Sequence, residues 1–160
     1  MKLYLIQTGD AVARQTTDFE RPLSDQGRLN MEKLASLLSR VHLDATRVIH
    51  SGNTRARQTL EIFQWAATPE RGRIEAREGL GPEDPVEPWL QEISGWEQPA
   101  VLVGHQPFLG KLVSRLVAGR EEPPVVAFCP GTAVCLTKAE DGWSLCWMVP
   151  PELMKAMARY

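Results

Sequence analysis

Short apolar runs alternate along the chain with longer segments in which apolar residues recur every three or four positions. The runs with the length and composition of buried strands are 2–7, 47–50 and 100–103. The segments with helical spacing are 24–40, 53–67 and 108–118. This alternation predicts a mainly parallel sheet that is covered by helices on both faces.

Weaker patterns fill the remainder of the chain. They predict a short strand at 73–77, a helix at 86–94, strands at 125–129, 133–137 and 143–149, and a terminal helix at 152–159. The turn Glu140-Asp141-Gly142 joins the last two strands as a hairpin, and Ser24 is placed to cap the first helix. We therefore expect a three-layer α/β/α fold with an antiparallel edge, formed by residues 1–160 as a single domain.

Composition narrows the class of protein. With 160 residues, 43% of them apolar, the chain has the size of one globular domain, and its net charge of −2 argues against a nucleic-acid or anionic-membrane binder. No segment has the pattern of a signal peptide or a membrane span, so a cytoplasmic protein is expected. Cys129, Cys135 and Cys146 lack metal-ligand spacing, which favours free thiols and predicts neither a metal nor a cofactor.

Polar residues follow three of the predicted strands. These segments are Gln7-Thr8-Gly9, Ser51-Gly52-Asn53-Thr54-Arg55 and Gly104-His105-Gln106-Pro107. The carboxyl ends of parallel strands meet at one edge of a sheet, where loops and helix N-termini form ligand sites. The sequence therefore predicts a site at this edge.

The same segments resemble motifs of the histidine phosphatase superfamily, in particular its small SixA-type phosphohistidine phosphatases. Residues 5–11 resemble Leu-x-Arg-His-Gly-Asp-Ala with Gln7-Thr8 in place of Arg-His, and residues 21–27 match Arg-Pro-Leu-Thr/Ser-x-x-Gly. Residues 51–59 resemble Ser-Pro-x-x-Arg-Ala-x-Gln-Thr, and residues 101–110 resemble the segment that holds the family's second histidine. The resemblance implies the phosphoglycerate mutase-like fold of this family.

It also implies roles for individual residues. In the family a histidine attacks phosphorus while two arginines and the second histidine hold the phosphoryl oxygens. Carried over by position, Arg55 and His105 are retained, Thr8 occupies the nucleophile position, and Gln7, Gly9 and Arg21 line the phosphate site. The expected partner is a phosphorylated protein or a small phosphorylated ligand, bound in addition by backbone amides near Gly9.

The two replacements predict that the family's usual catalysis is impaired or absent. Thr8 needs a base to attack, and a phosphothreonine would be a stable ester. Gln7 lacks the charge with which arginine binds phosphate, a loss on the order of 1.5 to 3 kcal/mol for a strong contact. Binding of an anion by Arg55 and His105 is expected to survive.

Two other interpretations stand beside this one. A divergent phosphatase would use water activated by His105 or His50, and a structural relative would have lost the function of the crevice. Asp10 either joins the site or stabilises its turn. The acidic residues 78, 83, 84 and 87 fall where many superfamily members place a proton donor, and most of them are expected to be solvated loop charges.

Overall fold

The computed structural model describes residues 1–13, 17–67 and 73–157. In these ranges the strands are β1 Lys2–Gln7, β2 Arg47–His50, β3 Arg73–Ala76, β4 Ala100–Gly104, β5 Ala133–Ala139 and β6 Gly142–Val149. The helices are α1 Asp25–Leu38, α2 Thr54–Ala67, α3 Glu87–Ser94, α4 Phe108–Ala118 and α5 Pro151–Ala156, and a 3₁₀ helix covers Asp18–Glu20.

The strands form one sheet with the order β3-β2-β4-β1-β5-β6. Four of them, β3, β2, β4 and β1, are parallel, while β5 and β6 add an antiparallel edge. β1, β2 and β4 lie side by side, with Gln7 opposite Gly104 and His50 opposite Val103. Their carboxyl ends are therefore level, as the sequence predicted.

Two hydrophobic cores lie on opposite faces of this sheet. Along β1 the side chains alternate, so that Tyr4 and Ile6 pack with α1, α2 and α5, whereas Leu3 and Leu5 pack with α3 and α4. Phe63 on one face and Phe108 on the other are both fully buried. This arrangement confirms the expected three-layer α/β/α fold.

Most predicted elements agree with the observed ones to within one or two residues. Ser24 caps α1 as expected, with its Oγ accepting from the Gly27 amide at 3.0 Å. α5 begins at Pro151 and ends at Ala156, and the predicted extension to Arg159 falls outside the described residues. The cysteines are free thiols, and none of the described helices is long and apolar enough to cross a membrane.

The predicted strand at 125–129 is wrong. β5, the next strand along the chain, already pairs with β1 on one side and with β6 on the other, so this segment cannot pair with it. Its polar groups bond elsewhere: the Val125 amide donates to Ser114 Oγ, and Cys129 forms a turn with Thr132. Val126 is buried in the core although the backbone is irregular. The apolar run thus predicted correctly that part of this segment is buried, but it did not predict the conformation of the backbone.

The loop after β1 is held against the start of α1 at a position where only glycine fits. The Asp10 carbonyl accepts from the Ser24 amide at 2.9 Å, and Ala11 forms an isolated bridge with Leu23. A Cβ on Gly27 would lie 2.2 Å from the Asp10 oxygen. The loop that leads from β1 to the site is therefore in direct contact with the α1 backbone.

We expect the substitution Gly27→Ala to destabilise the protein, although alanine favours helix by about 1 kcal/mol. The added Cβ must displace the Asp10 backbone, and such overpacking typically costs ~1–3 kcal/mol. Urea unfolding should report a lower free energy of unfolding for this variant. Arg28→Ala, at an exposed position of the same helix, is the control and should change little. A Gly27→Ala variant as stable as the native protein would contradict the packing described here.

Candidate functional site

His105 lies at the centre of the crevice, between the end of β4 and the start of α4. It is only 4% exposed. Its Nε2 lies 2.7 Å from Ser51 Oγ and 2.9 Å from Asn53 Nδ2, both in the segment that follows β2. Burial, together with the charge of Arg55, lowers the pKa of His105 to about 4, against an opposing effect of Asp18. The ring is therefore neutral at physiological pH.

Arg55 meets His105 from the first turn of α2. Its Nη2 lies 3.4 Å from His105 Nδ1, so the structure brings together the two residues that the sequence selected. The same guanidinium donates to the Asp18 carbonyl at 2.8 Å and to Asp18 Oδ2 at 3.3 Å. A mostly buried cation thus stands beside a neutral imidazole and is balanced in part by a carboxylate.

Asp18 was missed in the sequence. It also contacts Arg21, whose Nη1 lies 3.1 Å from Asp18 Oδ1 and whose Nε donates to the Val12 carbonyl. Partial burial disfavours the ionised form, but the guanidinium groups of Arg55 and Arg21 outweigh it and lower the pKa of Asp18. Arg21 therefore reaches the site through Asp18. No local pattern marks this carboxylate, because its partner Arg55 lies 37 positions away.

The segment Gln7-Thr8-Gly9 is tied to the sheet by its backbone. The Thr8 amide donates to the Gly104 carbonyl at 3.0 Å, and the Gly9 amide donates to Thr59 Oγ1 at 3.3 Å. Both amides are thus engaged within the protein, contrary to the expectation that they face a ligand. The Gln7 side-chain oxygen is buried without a hydrogen-bond partner among the described residues.

An open pocket of about 280 Å³ adjoins His105. Ser51, Asn53 and His105 form one side of it, and the loop 77–84 forms much of the rest. Of the described residues that line it, none belongs to the 7–9 segment. The pocket is therefore open next to His105, and its described wall does not include Thr8.

The pocket wall carries several charges. Glu78 and Asp84 line it, so half of the predicted acidic loop cluster faces the crevice. Asp84 accepts from the Gly81 amide at 2.7 Å, which stabilises the loop. Arg77 also lines the pocket, but its guanidinium is engaged by Glu92 at 2.7 Å and lies over the Trp89 ring. Arg77 is thus held by its own neighbours.

The structure places His50 and Asp10 outside this pocket. His50 is 7% exposed, and its Nδ1 accepts from the Gly52 amide at 3.2 Å. Burial and the charge of Arg57 lower its pKa. The Asp10 side chain is exposed, while its carbonyl oxygen holds the N-terminus of α1. These contacts indicate that both residues have a structural role.

Asn53 and Ser51 complete the surroundings of His105. Both stood in a segment that the sequence selected, but neither was identified as a site residue. An asparagine directly before a helix is a signal for an N-cap, and Asn53 does cap α2, with Oδ1 accepting from the Ala56 amide at 2.9 Å. The N-cap signal predicts the contact of Oδ1 with the helix, but it does not predict the contact of Nδ2 with His105.

Comparisons with known proteins agree with this geometry. The family model for the histidine phosphatase superfamily (branch 1) matches residues 7–81. An uncharacterized protein from Picosynechococcus sp. is 32% identical over 126 residues, which are 75% of each chain. The phosphohistidine phosphatase SixA of Escherichia coli is 29% identical over 161 residues, which are 99% of each chain.

A solved structure gives the same result. The protein histidine phosphatase SixA complexed with tungstate superposes with a TM-score of 0.81 at 25% identity, over 96% of this chain and 99% of that one. Because the family model, the SixA relative and the SixA structure all agree, the chain belongs to the histidine phosphatase superfamily and is of the SixA type.

Proposed function

We propose that this chain binds a phosphorylated protein or a small phosphorylated ligand through Arg55 and His105 without turning it over by the family's usual route. The observation that carries the proposal is the 3.4 Å approach of Arg55 Nη2 to His105 Nδ1. His105 lines the open pocket, and Arg55 contacts it from behind the lining, through His105 and Asp18. An arginine offers charge-assisted hydrogen bonds in a geometry that suits phosphoryl oxygens. In the structure the Asp18 carboxylate already accepts a hydrogen bond from this guanidinium, so an anionic oxygen fits next to it.

The family's reaction needs groups that this chain has replaced. Phosphoryl transfer depends on a positioned nucleophile and on cations around the phosphoryl oxygens. Thr8 offers a hydroxyl that requires a base, and its phosphate ester would resist hydrolysis. Gln7 brings no charge to the site. These differences argue against turnover through residue 8.

The surroundings of His105 also argue against its use as a base for water. A general base works best when its pKa lies near the working pH, whereas that of His105 is lowered to about 4. Asn53 Nδ2 and Ser51 Oγ lie against its Nε2, and the Arg55 guanidinium lies against its Nδ1, so neither ring nitrogen is open to a water molecule. His50, the other candidate for a general base, is buried and does not line the pocket. Binding is therefore favoured over a divergent hydrolysis.

Anion binding is tested with inorganic phosphate and with tungstate, the oxyanion present in the SixA structure. Titration calorimetry should detect binding to the native chain. Arg55→Gln should weaken it about 10- to 100-fold, since a strong charge-assisted contact is lost. Arg57→Gln, at an exposed position two residues further along α2, is the matched control and should bind as the native protein does. Equal binding by all three proteins would contradict the assignment of Arg55.

Turnover is tested with a phosphohistidine peptide. The native chain should release no phosphate above background, whereas the double substitution Gln7→Arg/Thr8→His should gain activity because it restores the nucleophile and its cation. Phosphate release is followed over time in both proteins. Steady turnover by the native chain that Arg55→Gln and His105→Gln both abolish would replace the proposal with a divergent phosphatase.

The buried neutral imidazole also predicts a pH dependence of stability. The pKa of His105 is about 4 in the folded protein and 6.5 in the unfolded chain, so between these values the unfolded chain binds more protons. The associated stability is complete above pH 6.5 and falls as the pH is lowered toward 4, by up to ~1.4 kcal/mol per pH unit. Arg55 and Asp18 are the charged groups that act on the ring.

Urea unfolding of the native chain and of His105→Gln between pH 7 and pH 4.5 checks this dependence. The variant should lose less stability over the interval because it lacks the titrating ring. His50→Gln serves as the comparison, since the pKa of His50 is lowered as well and contributes with the same sign. Parallel curves for the native chain and His105→Gln would show that His105 titrates normally.

A further inference from the structure

The orientation of the Asn53 side-chain amide is determined by α2. Asn53 is 6% exposed, and its Oδ1 accepts from the Ala56 amide at 2.9 Å. A backbone N–H can only donate, so the atom that faces it must be the amide oxygen. The other end of the amide is then Nδ2, which lies 2.9 Å from His105 Nε2. The helix cap thus presents an N–H donor to the imidazole.

This donor restricts the protonation of the ring. Neutral imidazole carries one N–H, and its other nitrogen accepts. Because Asn53 Nδ2 can only donate, a hydrogen bond at this contact requires Nε2 to be the acceptor. Ser51 Oγ, 2.7 Å from the same nitrogen, is a hydroxyl and can donate to it as well. The contact at the other nitrogen, from Arg55 Nη2, is longer at 3.4 Å. The closer contacts therefore favour a proton on Nδ1.

The two tautomers have different consequences for the site. With the proton on Nε2, His105 would donate to Ser51 and accept from Arg55, so that the two ligand-binding side chains would bond to each other. With the proton on Nδ1, the ring and Arg55 present neighbouring N–H donors instead. An oxygen of a bound anion then accepts from both.

We propose that Asn53 is a positioning residue that holds His105 in the tautomer with its proton on Nδ1, and thereby keeps His105 and Arg55 available as a pair of donors to an oxyanion. The part about the oxyanion rests on the proposed function. The part about the tautomer concerns the protein without ligand and rests on the contacts of His105 with Asn53, Ser51 and Arg55.

The test is nuclear magnetic resonance of the protein labelled with ¹⁵N in its histidine rings. The chain has only three histidines, and His105→Gln identifies the signals of His105. The native chain should show His105 protonated at Nδ1. Asn53→Asp keeps an N-cap oxygen and the shape of the side chain but turns the donor toward His105 into an acceptor. In this variant the ring proton should move to Nε2, and the pKa of His105 should rise by about one unit or more.

Two controls separate this result from a general structural effect. The melting temperature of Asn53→Asp should stay close to that of the native chain, because asparagine and aspartate are comparable caps. Asn53→Ser keeps the cap without the amide donor and should move His105 toward the Nε2 tautomer, with about tenfold weaker phosphate binding in calorimetry. Arg55 and Asp18, the charged groups that act on the ring, are unchanged in both variants.

A native His105 protonated at Nε2, or an Asn53→Asp variant that retains the Nδ1 proton, would overturn the proposal. Failure of the native chain to bind phosphate would count against the proposed function instead, since the tautomer is measured without ligand. The two failures are therefore distinguishable in one set of samples.

Discussion

The parallel pairing of β4 with β1 on one side and β2 on the other is the constraint on which the site depends. All five residues of β4 are buried, and the register sets Gln7 opposite Gly104 and His50 opposite Val103. As a result, three chain segments separated by roughly fifty residues emerge at the same height. His105, Ser51 and Asn53 meet because the strands that precede them end together. A one-residue slip would turn every side chain of a strand to the other face, so the two cores that flank the sheet also fix the site.

Next to His105 the protein stabilises the mostly buried guanidinium of Arg55, while the imidazole itself stays neutral. Arg55 is compensated by Asp18, which in turn is held by Arg21, so the positive charge has partners although its side chain is only 11% exposed. The ring beside it is neutral because burial and the arginine both disfavour a second positive charge. The neutral ring acts through the hydrogen bonds of its two nitrogens, of which one donates and the other accepts. The surrounding residues must therefore determine the tautomer of His105. A cap residue with its amide already oriented by the helix is well suited to do so.

The sequence pattern alone predicted those strands and helices whose conformation depends mainly on neighbouring residues. The bounds of β1, β2 and α4 agree with the sequence prediction, because each is an apolar run or a helical periodicity bounded by turn residues. The segment 125–129 has the composition of a strand, but strand pairing depends on the tertiary structure, and both sides of β5 are already paired. At the site, Arg55 and His105 could be selected from motifs. Asp18 and the second end of the Asn53 amide could not, because their partners are distant in sequence.

The contacts of the 7–9 segment show which of its groups the fold depends on. Gln7 and Thr8 serve the sheet through main-chain groups: the Gln7 amide donates to the Thr132 carbonyl, and the Thr8 amide donates to the Gly104 carbonyl. Backbone bonds of this kind form with any non-proline residue. At Gly9 and Gly27, by contrast, a Cβ would come too close to Leu23 and to the Asp10 backbone, respectively. Close contacts thus restrict the two glycines, whereas the main-chain hydrogen bonds of Gln7 and Thr8 do not depend on the identity of their side chains.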